Sequence, residues 1–428
     1  MFLKEKLNWG NLMENNVNDS EVINLGCRLN FYESEVIKKV LKEKKIKKKI
    51  VINTCAVTNQ AVQKSIYEVK KAKKHFPDYE IIVTGCASQV EKFRFGNLEE
   101  VDRIIDNNIK TKWRTYLDPK FELSIPKFDF PEPSYDFSKR TRAFLQIQQG
   151  CSHRCTFCII PFGRGDAVSL PLGEISKRIN KLIKFGYKEI TLTGVDLTSY
   201  GDDLPGKPKL GSALKRLFDL HPDLQRLRLS SIDPAEIDED LMDLFKYEKR
   251  LMPYLHFSLQ SGDNLILKRM KRRHSREEVY DICEEIVSIR SEIKFGADVI
   301  VGFPTETEDN FQNTIDLIKM CKFSNLHIFP FSAKKGTPAS NMPQVEKEIK
   351  IKRLNFIRTI SEKIKSKLMK NKIGETVNLL YESDKKSYTD DYFKVSIINN
   401  KSKNFKVGDI VRVKIKSNDK NFLLAEIN

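Results

Sequence analysis

The chain has 428 residues, 40% hydrophobic and 31% charged, which is enough apolar material for a large core and excludes a disordered chain. Lysine and arginine number 75 against 58 acidic residues, a formal charge of +17, which points to a polyanionic partner. Eight cysteines are too few for a disulfide scaffold, no apolar run reaches the roughly 18 residues that span a bilayer, and segment 1–20 lacks secretory character, so the expected setting is the cytoplasm without membrane contact.

In chain order, the first elements are three β-branched runs that each end in a turn and a cysteine. They are Glu21-Val-Ile-Asn-Leu-Gly-Cys27, Ile50-Val-Ile-Asn-Thr-Cys55 and Ile81-Ile-Val-Thr-Gly-Cys86. Runs of this kind predict buried parallel strands, with helical patterns over 32–45 and 60–75 between them. The βαβαβ order predicts a parallel α/β sheet domain over 1–117, with all three cysteines on the strand edge where such sheets bind ligands. A linker follows over 118–139, marked by Pro119, Pro126, Pro131 and Pro133. Over 140–342, strand candidates at 144–148, 189–193, 226–230, 255–260, 296–301 and 325–330 alternate with helical patterns such as 173–185, 276–291 and 306–322. That alternation predicts a partial (β/α) barrel of the TIM type. A Lys-rich connector helix over 343–373 carries an apolar stripe from Ile349 through Leu354, Ile357, Ile360 and Ile364 to Leu368. In 374–428, four strand patterns with polar turns at Asn399-Asn400 and Gly408-Asp409 predict a small β-barrel of oligonucleotide-binding size. The fold class is therefore α/β multidomain.

The most informative stretch is Cys151-Ser-His-Arg-Cys155-Thr-Phe-Cys158, in a loop opened by Gly150. Three thiolates at this spacing suit one corner of a metal cluster, and a three-ligand set leaves one iron of a [4Fe–4S] cube open to a cofactor or substrate. The alternative is a zinc site completed by His153. Cys27, Cys55 and Cys86 hold equivalent positions on successive strands, which favours a second cluster over three small core residues. Cys283 and Cys321 fall in amphipathic helix patterns and are assigned to the core. Of the two basic runs, 38–49 reads as a solvated helix face, whereas 268–276, with six Lys or Arg in nine residues, is placed to meet phosphate. The terminal segment from Gly374 is only weakly basic, ten Lys or Arg against eight acids, and its aromatics are assigned to a small core before base stacking.

Cys151-x3-Cys155-x2-Cys158 is the signature of the radical S-adenosylmethionine enzymes. Together with Asn24-Leu-Gly-Cys27-Arg-Leu-Asn30, Asn53-Thr-Cys55-Ala-Val-Thr58 and Thr84-Gly-Cys86, it makes the chain resemble the radical SAM methylthiotransferases. The resemblance continues through Thr193-Gly-Val-Asp-Leu-Thr-Ser-Tyr-Gly201, His256-Phe-Ser-Leu-Gln-Ser-Gly262 and Asp298-Val-Ile-Val-Gly-Phe-Pro304, and the terminal barrel is similar to an RNA-binding TRAM domain. It implies an enzyme with two [4Fe–4S] clusters and S-adenosyl-L-methionine. Cys151, Cys155 and Cys158 would carry the cluster that binds S-adenosylmethionine, and Cys27, Cys55 and Cys86 the one that delivers sulfur. A 5′-deoxyadenosyl radical would take hydrogen from C2 of an adenine, and a second S-adenosylmethionine would give the methyl group.

The resemblance further places Phe157 against the cofactor's adenine, with a loop anchor as the alternative. Asp196, Ser258 and Gln260 would contact its ribose or methionine groups, with helix capping as the alternative. The implied partners are the tRNA anticodon stem-loop and an unidentified electron donor, while the oligomeric state is left open. Residues 51–59, Gln260-Ser-Gly-Asp263, Leu267-Lys-Arg-Met-Lys-Arg-Arg-His274 and Asp196 resemble most the branch acting on N6-threonylcarbamoyladenosine at position 37. The alternatives are N6-isopentenyladenosine in tRNA, an aspartate of a ribosomal protein and, more remotely, a zinc-stabilised RNA-binding protein. The chain departs from its relatives at Gly163-Arg-Gly-Asp-Ala-Val-Ser169, where Asp166 and Val168 stand in place of arginines.

Overall fold

Successive side chains leave opposite faces of an extended backbone, so each β-branched run near the N-terminus feeds two cores at once. In the computed structural model, which describes residues 19–121, 128–133, 141–399 and 405–427, those runs are parallel strands β1 (Glu21–Asn24), β2 (Lys49–Thr54) and β3 (Glu80–Gly85). A short β4 (Arg103–Ile104) completes a sheet in the order β1-β2-β3-β4. Ile23, Ile50, Ile52, Ile81 and Val83 face helix α2 (Asn59–His75) through Val62, Val69 and Ala72. Val22, Val51 and Ile82 face α1 (Arg28–Glu43) through Ile37 and Leu41. The predicted helices and strands are thus present, and the sheet has a helix on each face. The polar segment 1–18, Pro126, residues 134–139 of the predicted linker and Asn400 of a predicted turn lie outside the described residues.

The chain divides into two units. The first comprises Met1–Ser134, Gln148–Val168 and Ser332–Ser340, so the loop with Cys151, Cys155 and Cys158 belongs to the same unit as the N-terminal sheet. The second comprises Tyr135–Ile147, Ser169–Phe331 and Asn341–Asn428.

In the second unit, all six predicted strands form. β5 (Arg142–Gln146), β6 (Glu189–Thr193) and β7 (Arg226–Leu229) make one parallel sheet. β8 (Tyr254–Gln260), β9 (Lys294–Val301) and β10 (Asn325–Pro330) make another, and a parallel bridge between Ile232 and Phe257 continues the curve from the first to the second. The connector is one helix, Lys347–Asn371. The C-terminal segment is a closed five-stranded barrel of β11 (Thr376–Leu380), β12 (Ser387–Thr389), β13 (Lys394–Asn399), β14 (Ile410–Asn418) and β15 (Leu423–Ile427). The short β12 was not expected from the sequence, because three residues carry no readable alternation. The terminal aromatics serve packing: Phe393 is in the barrel core, Tyr381 and Phe405 pack against it, and Tyr388 lies under the guanidinium of Arg142 at 4.3 Å. No helix among the described residues is long and apolar enough to cross a membrane.

Candidate functional site

The parallel register aligns the strand ends. Asn24 pairs with Asn53, Asn53 with Thr84 and Thr54 with Gly85, which leaves Cys27, Cys55 and Cys86 just beyond one edge of the sheet. Gly85 has φ +99°, and a Cβ there would come within 2.4 Å of the Thr54 backbone nitrogen. Only glycine lets β3 run this close to β2 before turning into the short helix Cys86–Val90. Burial, with the thiols of Cys27 and Cys86 alongside, pushes the Cys55 thiol up to about 12. All eight cysteines are free thiols.

Beneath the three thiols is a buried ionic cluster. Arg164, at the end of the helix Ile160–Arg164, donates from Nε to Cys86 Sγ at 3.2 Å. Its two terminal nitrogens grip Glu33, Nη1 to Oε1 at 2.9 Å and Nη2 to Oε2 at 3.0 Å, and Nη1 also reaches Gln149 at 3.0 Å. Lys110 Nζ donates to the same carboxylate at 2.6 Å and to Asn107 Oδ1 at 2.8 Å. The side chains of Glu33 and Lys110 are each 1% exposed. Asn30 and Asn53 complete the cluster: Asn30 Nδ2 donates to the Thr54 carbonyl, and Asn53 Nδ2 to the Asn30 carbonyl and Ser34 Oγ. Two buried cations against one carboxylate leave an excess positive charge, and unpaired buried charge costs several kcal/mol. Thiolates at the three cysteines, formed on binding a metal group, would supply the missing negative charge, so the donor set fits a thiolate-bound metal group.

The second cysteine set is held by backbone. Gly150 has φ +70°, and a Cβ there would lie 1.9 Å from the Asp166 carbonyl oxygen. The Cys151 N–H donates to Gly165 O at 3.1 Å, and the Cys158 N–H to Cys155 O at 3.0 Å, closing a tight turn around the three half-buried thiols. Outside it, Arg154 pairs with Asp166 at the surface. Asp166 is thus part of the loop's own outer fastening. Three thiols in one short loop, with no fourth cysteine beside them in sequence, suit a cluster with an open iron.

Residues 145–318 match the Radical SAM superfamily and residues 20–106 the group described as Uncharacterized protein family UPF0004. The chain is 43% identical over 391 residues to the threonylcarbamoyladenosine tRNA methylthiotransferase MtaB of Rickettsia prowazekii, covering 90% of this chain and 93% of that protein. It belongs to the radical SAM methylthiotransferase family. The Bacillus subtilis MtaB is 33% identical, with 91% of this chain and 92% of that protein covered. A tRNA-2-methylthio-N(6)-dimethylallyladenosine synthase of Carboxydothermus hydrogenoformans is 32% identical, with 86% and 89% covered. Among solved structures, the radical S-adenosylmethionine methyltransferase TsrM of Kitasatospora setae superposes with a TM-score of 0.55 at 12% identity, over 75% of this chain and 76% of that one. That likeness is one of fold. This methylthiotransferase is accordingly a radical SAM enzyme, which uses S-adenosylmethionine and a [4Fe–4S] cluster.

The expected cofactor contacts of the methylthiotransferase fall in both units. Phe157 is half-buried in the cysteine loop. In the second unit, Asp196 lies beyond the C-terminal end of β6 and accepts from Ser199 Oγ at 2.8 Å and Thr198 Oγ1 at 3.2 Å, so it also fastens its own turn. Ser258 sits in β8, its carbonyl accepting from Arg272 Nη2 at 2.6 Å, and Gln260 ends that strand with φ +69°. Ser258, Gln260 and Asp196 share the C-terminal edge of the parallel strands. The basic run 268–276 differs from expectation, because Arg272, Arg273 and His274 converge on the buried carboxylate of Asp233. Those three bases shape the loop after β8, while Lys268, Lys271 and the outer side of Arg273 remain exposed. Cys283 and Cys321 are buried, as expected.

Sequence reasoning missed Arg164, Glu33, Lys110 and Asn107. A glutamate in an amphipathic helix and a lysine in a polar loop look like surface residues, and the only signal was Arg164 within the short stretch where the chain departs from its relatives.

Proposed function

We propose that this methylthiotransferase adds a methylthio group to C2 of N6-threonylcarbamoyladenosine at position 37, in the anticodon stem-loop of tRNA. The observation that carries the substrate is the 43% identity over 90% of the chain to a threonylcarbamoyladenosine enzyme, against 32% over 86% for a dimethylallyladenosine enzyme. In this reading Cys151, Cys155 and Cys158 hold the cluster that binds S-adenosylmethionine, and Cys27, Cys55 and Cys86 hold a second [4Fe–4S] cluster. When bound, these groups supply one-electron chemistry at a carbon too inert for acid–base catalysis, together with the sulfur and the methyl group.

The chain's own residues position and shield. Arg164 fixes the Cys86 sulfur and, with Lys110, would offset the negative charge of three thiolates from the buried side of the site. Phe157 offers an apolar face to the cofactor's adenine, and Asp196, Ser258 and Gln260 offer hydrogen bonds at the strand ends. The +17 charge suits tRNA better than a ribosomal protein, itself basic. A cytoplasmic enzyme served by a separate electron donor fits this chemistry. Its functional division is a sulfur-delivery domain over 1–117, a linker over 118–139, a radical SAM core over 140–342, a basic connector over 343–373 and a TRAM-like barrel over 374–428.

The test is an anaerobic assay of reconstituted protein with S-adenosylmethionine, a reductant and tRNA carrying either precursor, with digested nucleosides read by mass spectrometry. A methylthio gain confined to threonylcarbamoyladenosine is expected. A gain on isopentenyladenosine alone overturns the substrate and keeps the chemistry, and cofactor cleavage without modification of either tRNA points to a protein substrate.

A further inference from the structure

A strap, Ser332–Ser340, belongs to the first unit although it is remote from it in sequence. It is fastened at both ends. The Asn59 N–H donates to Ser332 Oγ at 3.0 Å and Asn59 Nδ2 to the Ala333 carbonyl at 3.1 Å, which ties the strap beside the loop that carries Cys55. The Ala339 N–H donates to Thr156 O at 2.9 Å, within the loop that carries Cys151, Cys155 and Cys158. Between these fastenings, the Lys334 carbonyl accepts from the Thr337 N–H at 3.0 Å and Thr337 Oγ1 at 2.7 Å, so the backbone that launches the Lys334 side chain is fixed.

Lys334 is 4% exposed, and its Nζ is buried without a hydrogen-bond partner. A buried ammonium with three unused donors is among the costlier features a fold can carry, unless something anionic arrives later. Its charged neighbours include the thiol of Cys55 and the carboxylate of Glu91. Glu91 pairs with Arg94 at 2.8 Å and makes no hydrogen bond to Lys334, and the like charge of Arg94 opposes the ammonium, which makes the group that forms at Cys55 the further anion open to Lys334.

We propose that Lys334 is a charge-pairing residue for the anionic group assembled on Cys27, Cys55 and Cys86, brought to it by the strap that fastens both cysteine loops. The inference rests on the proposed second cluster. It adds a third cation to Arg164 and Lys110, on the Cys55 side where neither has a hydrogen bond. Three thiolates and a cluster with an open iron carry net negative charge, so a fixed ammonium alongside favours the reduced, more negative state and raises the midpoint potential. In the cluster-free chain the same ammonium is a burden, because nothing pairs it.

The experiment uses the full chain carrying Cys151→Ala, Cys155→Ala and Cys158→Ala, reconstituted anaerobically with iron and sulfide so that only the second site loads. A redox titration followed by electron paramagnetic resonance compares Lys334, Lys334→Met and Lys334→Arg in that background. A more negative midpoint in Lys334→Met, restored by Lys334→Arg, is expected, and thermal melting of the cluster-free chain should rise in Lys334→Met. Loading by Lys334 and Lys334→Arg but not by Lys334→Met also supports the pairing. An unmoved midpoint, a lower cluster-free melting temperature in Lys334→Met, or loss of loading in both variants overturns it. If the parent itself takes up no iron, the second cluster fails and the role of Lys334 falls with it, an outcome distinct from a loaded cluster with an unmoved potential.

Discussion

One cysteine set is built into a loop, the other onto the edge of a folded sheet. Cys151, Cys155 and Cys158 are held by main-chain bonds and a glycine, with Arg154 donating to the Cys151 carbonyl at 2.9 Å and pairing with Asp166 at the surface. Cys27, Cys55 and Cys86 are held by strand register and by a buried cluster of Glu33, Arg164 and Lys110. The difference teaches where each site is vulnerable. A loop site depends on its ligands and little else, whereas a sheet-edge site depends on every charge that balances it.

The largest effect comes from removing either set of ligands, and the two removals should fail differently. Alanine at Cys151, Cys155 and Cys158 together is expected to abolish formation of 5′-deoxyadenosine from S-adenosylmethionine. Alanine at Cys27, Cys55 and Cys86 should leave that cleavage in place and remove the methylthio product. Chromatography of the cleavage product alongside nucleoside mass spectrometry reads both. If the sheet-edge variant also loses cleavage, the two sites do not divide the labour as proposed.

Next in size is Arg164→Met, which leaves Glu33 with one cation and Cys86 with none of its present donors from that side chain. Breaking a buried pair by deleting one partner costs about 3–5 kcal/mol. Hydrogen exchange of α1 in the cluster-free protein should show a loss of that order. Arg164→Lys should recover little of it, because a point charge cannot reproduce the two-pronged grip on the carboxylate. The matching change in the loop, Arg154→Met, should stay below about 1 kcal/mol, as for exposed pairs generally. Equal losses at both positions would erase the contrast.

Acid gives a third way to separate the sites. Burial alone would raise the pKa of Glu33, but Arg164 and Lys110 outweigh it and hold the carboxyl below its ordinary 4.5. A carboxylate with a lowered folded-state pKa stabilises the fold in full above the unfolded value, and that contribution is lost as pH falls through the folded value. Exchange protection of α1 and β2 should therefore erode below pH 4.5, and Glu33→Gln should remove that acid dependence while lowering protection at neutral pH. Acid erosion that persists unchanged in the Gln variant would mean another carboxylate governs this edge.

The same contrast explains what could be read before the structure. The loop set is legible because its three cysteines are near neighbours in sequence, although spacing alone also allowed a zinc site completed by His153. The sheet-edge cysteines were legible only through equivalence in the βαβ pattern, which the register of Thr54 with Gly85 bears out. Glu33 and Lys110 were illegible, because their pairing spans 77 positions and nothing local marks either as buried. Lys334 is harder still: a lysine beside another lysine and a glycine reads as a solvated turn, yet the fastenings at Asn59 and Thr156 bury it. Six strands of the partial barrel were readable because short β-forming runs recur between helical patterns, even where apolar residues alternate with arginine as in Arg226-Leu-Arg-Leu229, whereas the three residues of β12 offer no such pattern and pair with their neighbours in the closed barrel.

The smallest expected effect tests the loop's independence directly. Asp166→Ala removes the exposed partner of Arg154 and turns an acidic position neutral, without touching the carbonyl of Asp166 that the loop crosses at Gly150. An exposed pair contributes about 0–1 kcal/mol, so stability should fall by no more than that. Iron content and S-adenosylmethionine cleavage should match the parent, because the Cys151 and Cys158 main-chain bonds are untouched. Asp166→Arg goes further and reverses the charge; if that position contacts RNA phosphate, the Michaelis constant for tRNA should fall while cleavage stays constant. A fall in iron content in either variant would show that the surface pair, and not the backbone, holds the loop in its ligating shape.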